Sequence, residues 1–135
     1  MNHTSQANFP EGILRSISRG ALANLPVRRY QGPVHLVTTA HDLAPALADI
    51  RQERVTGFDT ETRPSFRKGE VHLPCLAQVA TARAVYLFPL RHTEAFPVLS
   101  ELLSEARFVK AGVALADDLR ALKALFPFTE KNIVD

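Results

Sequence analysis

A chain of 135 residues with 46% hydrophobic side chains is enough for one domain with a proper core. Lysines and arginines number 16 against 14 acids, so no strong uniform field marks the whole chain, and net charge alone names no partner. The single cysteine, Cys75, excludes an internal disulfide framework and any CxxC zinc or redox pair, which fits a reducing, cytoplasmic setting.

Residues 1–33 read as a basic N-terminal arm. Arg15, Arg19, Arg28 and Arg29 stand against one acid, Glu11, in the first 41 residues, and prolines and glycines interrupt any long period. One short helix is expected near Ile13–Leu25. The amino terminus has no continuous apolar h-region, and the longest apolar stretch, Ala84–Leu90, is too short to cross a bilayer. No membrane association is expected.

VHLVTT, residues 34–39, alternates and is β-branched, which predicts a strand. Leu43, Leu47 and Ile50 fall at helical spacing within 42–53. Residues 55–60 then predict a strand, and 62–74 a polar loop holding Arg63, Phe66, Arg67 and Lys68. CLAQVAT (75–81) and AVYLFPL (84–90) predict a hairpin turning at Ala82 and Arg83. A helix over 94–105 follows, with Phe96, Leu99, Leu102 and Leu103 on one face. A strand from Phe108 stops at Gly112, a helix runs through Leu115, Leu119, Leu122 and Leu125, and NIVD (132–135) begins one more strand. This order predicts a mixed α/β sheet flanked by helices, not a regularly alternating doubly wound one.

Chemistry enters at VTGFDTET, residues 55–62. Asp59 and Glu61 are i and i+2 of a strand, so they share one side, and two anions so placed repel unless one is protonated or a cation sits between them. Hard oxygen ligands without imidazole or thiol suit Mg²⁺ or Mn²⁺. Taken alone, such a pair is more commonly a strand end that reaches water. A second acidic pair, Asp117 and Asp118, opens the helix in VKAGVALADDLRAL. Acids at a helix start complement its dipole, but successive residues point about 100° apart, so one caps while the other projects elsewhere. Asp118 lies beside the Leu119 and Leu122 face and is the candidate ligand; Asp117 looks outward.

In this order and on these elements, the two segments resemble the first two motifs of the ribonuclease D and Werner-type 3′–5′ exonucleases, whose superfamily carries four acids, Asp-Glu-Asp-Asp. The resemblance covers residues 34–135. Asp59 and Glu61 match the first motif; Lys110, Gly112 and Asp118 match the second. It implies a ribonuclease H-like fold, a two-metal site with Mg²⁺ or Mn²⁺, and release of nucleoside monophosphates from the 3′ ends of single-stranded DNA or RNA. It also implies Asp59 on both metals, Glu61 on one and on the terminal 3′ hydroxyl, and Asp118 on the second. Thr60, Thr62, Arg63 and Lys110 are the substrate-binding candidates.

The third motif of that family, a tyrosine or histidine followed by a fourth aspartate, lies past the strand that NIVD begins. The expectation is therefore an exonuclease domain truncated before its third motif, with little activity and reduced stability. The competing reading is a short relative, catalytically incomplete, that binds nucleic acid or a protein partner. Asp135 sits where the family places no metal ligand and is expected to be structural or merely terminal. Gln78 is expected to brace the carboxylate strand, Cys75 to be a small buried thiol, and the 62–74 loop either to hold phosphates and stack a base on Phe66 or to be a solvated hairpin.

Overall fold

The computed structural model describes Gly12 and residues 16–135. Residues 1–31 and 32–135 form two compact units. In the first, α1 (Arg19–Ala23) starts at Ser18, whose Oγ accepts from the Ala21 N–H at 3.1 Å and satisfies one of the helix's free donors. Its five residues bury nothing, so packing gives it no reason to lengthen. Arg15 and the Ile13 end of the expected helix lie outside the described residues.

The second unit is built on six strands: β1 (Val34–Leu36), β2 (Val55–Thr62), β3 (Pro74–Ala80), β4 (Val85–Pro89), β5 (Val109–Ala111) and β6 (Ile133–Val134). They lie in the order β1-β4-β3-β2-β5-β6. The β2–β3 and β3–β4 pairs are antiparallel, and the remaining pairs are parallel. Helices α2 (Ala40–Ile50), α3 (Phe96–Ser104) and α4 (Leu115–Leu122) fall where sequence periodicity predicts them. The helix α2 begins at Ala40 because Thr39 and Asp42 form a capping box: Thr39 Oγ1 accepts from the Asp42 N–H, and Asp42 Oδ2 accepts from the Thr39 N–H.

Side-chain alternation divides the sheet into two sides. Thr56, Phe58 and Thr60 of β2, Ala77 and Val79 of β3, and Tyr86 and Phe88 of β4 are buried in one core with Ile50 of α2, Leu99 and Leu103 of α3, and Leu115, Leu119 and Leu122 of α4. All three helices of this unit therefore cover the same side. On the other side Val34, Leu36, Val55 and Val134 are each about half exposed, and no helix of this unit lies over them.

The β3–β4 turn is tied to α2 through Asp49. Its carboxylate accepts from Tyr86 Oη at 2.6 Å, from Thr81 Oγ1 at 3.0 Å and from Arg83 Nε. Arg83 also reaches Glu53 at 3.0 Å. Among the described residues no helix is long and apolar enough to cross a membrane.

Candidate active site

Strand parity places the first pair of carboxylates. With Phe58 and Thr60 turned into the core, Asp59 and Glu61 must point to the uncovered side, where both are exposed. Asp59 Oδ1 accepts from the Thr60 N–H at 2.9 Å. Gln78 is in register with Asp59, and its Nε2 donates to Glu61 Oε1 at 3.5 Å, so the amide steadies the second carboxylate from the neighbouring strand. Gln78 itself is half-buried on the uncovered side and is no core amide. Cys75 is exposed, with its Sγ 3.3 Å from the Glu61 carbonyl, which corrects the expectation of a buried thiol.

The second acidic pair reaches the same rim by way of β5. This strand runs parallel to β2, so the carboxyl ends of both lie at one edge of the sheet, the end at which open α/β sheets bind their ligands. Between β5 and α4 stands Gly112. A Cβ there would meet the Phe58 carbonyl oxygen at 2.4 Å and Leu115 Cδ2 at 2.7 Å, so only glycine lets this link press against β2. Helix α4 then opens with Asp117 and Asp118 in its first turn. Asp117 is exposed and accepts from Arg120 Nη1 at 2.7 Å.

Asp118 is half-buried and turned toward β2. Burial raises its pKa above the ordinary carboxylate value, the Thr60 side chain beside it lowers it, and the negative charges of Asp59, Asp117 and Asp135 raise it further. Thr60 Oγ1 is enclosed and lacks a partner at full hydrogen-bond geometry, with the Asp118 carboxyl as its neighbouring acceptor. Asp118 therefore lies beside Thr60, the β2 neighbour of Asp59.

The family model for 3′–5′ exonucleases matches residues 34–135. The chain belongs to this exonuclease family. Among curated proteins, none matches the sequence. Of solved structures, the EXO domain of Aedes aegypti Nibbler superposes with a TM-score of 0.67 at 20% identity, covering 81% of this chain and 55% of that one. Trypanosoma brucei ribonuclease D in complex with GMP gives 0.68 at 19% identity, over 76% of this chain and 33% of that one. The same enzyme in complex with RNA U12 gives 0.66 at 19%, over 78% and 38%. At such identities the likeness speaks for the fold: a mixed six-stranded sheet with flanking helices, of the ribonuclease H-like type. The chain spans 55% or less of the length of each of these structures.

In this exonuclease domain two of the substrate-binding candidates lie elsewhere than sequence reasoning put them. Lys110 is only 2% exposed, and its Nζ donates to the carbonyls of Glu105 at 2.6 Å and Phe108 at 3.2 Å. Being in register with Thr56, it points into the core, so it braces the end of α3 and faces away from Asp59. Burial pulls its pKa down, and Glu105 pulls it up. Thr60 likewise turns inward, to Asp118. Thr62 and Arg63 are exposed beyond Glu61, with Arg63 3.8 Å from Glu70.

Beside Asp59 a cleft of about 370 Å³ opens on the uncovered side, lined by Gly57, Gln78, Ala80, Ala111 and Gly112 among others. A second cleft, of about 360 Å³, lies between β1 and α2 and holds none of the site's carboxylates. Among the described residues no three His, Cys, Asp or Glu side chains close into a metal cage. The donor chemistry of Asp59, Glu61 and Asp118, all carboxylates, is nevertheless of the kind a hard divalent cation takes. Asp135, expected to be structural or merely terminal, is structural: its carboxylate accepts from the Ala114 and Leu115 N–H groups at the start of α4. Its signal was Ala114, which precedes the helix and has no side-chain acceptor to cap it.

Proposed function

We propose that this exonuclease domain serves metal-dependent hydrolysis of phosphodiester bonds at the 3′ ends of single-stranded DNA or RNA, with Asp59, Glu61 and Asp118 holding Mg²⁺ or Mn²⁺. One observation supports it: β5 runs parallel to β2 and leads into α4, whose half-buried Asp118 lies beside the Thr60 side chain, between Asp59 and Glu61 in the sequence of β2. When bound, such ions activate a water and stabilise the departing oxygen. The chain's own residues set up the site. Gln78 orients Glu61, the Thr60 hydroxyl lies against Asp118, and Thr62 and Arg63 extend the rim toward solvent, where a strand's sugar and phosphate can be met. The GMP and RNA held in the T. brucei ribonuclease D structures support nucleic acid as the substrate class.

A second reading stands beside this one and draws on the basic loop beyond Glu61, with Arg63, Arg67 and Lys68. In it the domain binds nucleic acid without cutting. Mn²⁺ titration followed by electron paramagnetic resonance separates the two. The nuclease reading expects saturable Mn²⁺ binding that weakens about 10-fold or more in Asp59→Asn and Asp118→Asn, together with stepwise shortening of 5′-labelled single strands. Strand binding without Mn²⁺ affinity sinks it and leaves the second.

A further inference from the structure

Immediately beyond Glu61 the chain enters the loop of residues 63–73, which has Arg63, Arg67 and Lys68 against one acid, Glu70. This loop is built around that acid. Glu70 Oε2 accepts from the backbone N–H groups of Phe66 and Arg67, both at 3.2 Å. Its Oε1 lies 2.7 Å from His72 Nε2 and 3.8 Å from Arg63. Gly69, at φ +81°, supplies the left-handed residue that lets the Glu70 N–H return to the Arg67 carbonyl at 3.1 Å. The backbone under Phe66 and Arg67 is thus held by hydrogen bonds, while Phe66 is left 86% exposed.

We propose that this loop is a single-strand platform, on which Phe66 stacks against an unpaired base while Arg67 and Lys68 hold the adjoining phosphates. The proposal deepens the nucleic-acid reading above and rests on it for the substrate class. Every base offers a π face, so an exposed ring between cations binds unpaired strands with little regard to sequence. Phe66 follows Glu61 by five residues and lies at most about 18 Å from it, which is within a few nucleotides of the carboxylate rim. Glu70 contributes by satisfying backbone donors, and its charge is already engaged by His72 and Arg63, leaving Arg67 and Lys68 open to phosphate.

The test uses the intact chain and fluorescein-labelled single strands of about 12 nucleotides, in EDTA so that no cleavage intervenes, read by anisotropy. Phe66→Ala is expected to weaken binding by about 5- to 150-fold, the effect of losing one stacked base, and Phe66→Trp to retain it. Arg67→Ala and Lys68→Ala should each flatten the salt dependence by about 0.7 in log–log slope. Duplex of the same length should show no dependence on Phe66. A Phe66→Ala protein that binds within about twofold of the parent overturns the platform, as does a Phe66→Trp protein as weak as the alanine variant, or a parent with no strand affinity. Asp59→Asn separates the two readings, because it removes Mn²⁺ but leaves Phe66-dependent binding in EDTA. If the parent binds strands through Phe66 and never binds Mn²⁺, the nuclease reading fails and the platform stands.

Discussion

Asp135 holds Ala114 by its backbone at the start of the helix that carries Asp118. Its Oδ1 accepts from the Ala114 N–H at 2.7 Å and its Oδ2 from the Leu115 N–H at 2.8 Å. Ala114 brings no acceptor of its own, so the first donors of α4 would otherwise be unpaired. The β6 strand delivers the carboxylate: the Gly112 N–H donates to the Val134 carbonyl at 3.0 Å, setting Asp135 over the helix end. Asp135→Ala should therefore cost about 1 kcal/mol in urea unfolding and weaken Mn²⁺ binding, with Asp135→Asn, which keeps one acceptor, falling between. Equal midpoints for all three proteins refute the cap.

Gly112→Ala should destabilise by about 2–3 kcal/mol. The new methyl meets the Phe58 backbone carbonyl, which cannot swing aside, and the end of the Leu115 side chain, which is packed in the core and has little room to move. Thermal unfolding measures it; a melting temperature equal to the parent's means that the β5–α4 link yields at no cost.

Ala114→Gly should act in the opposite sense. Ala114 sits at φ 55°, where an alanine costs about 1–2 kcal/mol, while glycine adds some unfolded-chain entropy. A net gain of about 0.5–1 kcal/mol is expected by denaturant titration. A loss there indicates that Asp135 needs the alanine geometry for its two hydrogen bonds.

Acid should loosen the β3–β4 turn through Asp49. Burial raises its carboxyl, and donors from Tyr86, Arg83 and Thr81 more than offset this, leaving the pKa below the ordinary 3.8. The folded value is thus below the unfolded one, so this stability is present above pH 3.8 and is lost as pH falls through the folded pKa. Asp49→Asn should lose about 1–3 kcal/mol at pH 7 and show a shallower acid limb below pH 4. Urea midpoints taken from pH 7 down to pH 3 decide it, and parallel acid limbs for parent and variant count against Asp49.

What the sequence made legible was what period alone specifies. Phe58 and Thr60 alternate with Asp59 and Glu61, so a strand with one buried side already puts both carboxylates on the other. Leu115, Leu119 and Leu122 likewise orient α4 and leave Asp118, not Asp117, near β2. Register was not legible. In the three residues of β5, Val109 and Ala111 look like core and Lys110 like surface, yet pairing of Lys110 with Thr56 reverses the two sides. Cys75 misled for a local reason: it is the extra residue between the Glu61–Leu76 and Thr62–Pro74 pairs, where the register shifts, so alternation along β3 does not carry it into the core.

Lys110 supplies the sharpest test of that reversal. Its ammonium donates to Glu105 and Phe108 carbonyls where α3 ends, and a cation there also complements the helix's carboxyl end. Lys110→Met keeps the buried stem and removes the two hydrogen bonds, so it should cost about 1–3 kcal/mol in stability while changing single-strand affinity by less than about twofold. A lysine on a phosphate behaves oppositely: stability is unchanged, affinity falls, and the salt slope drops by about 0.7. Denaturant midpoints and anisotropy on the same preparation distinguish the two. Because Lys110 and Thr56 share the core side of paired strands, only a change in register could bring that ammonium to the rim where Asp59 stands.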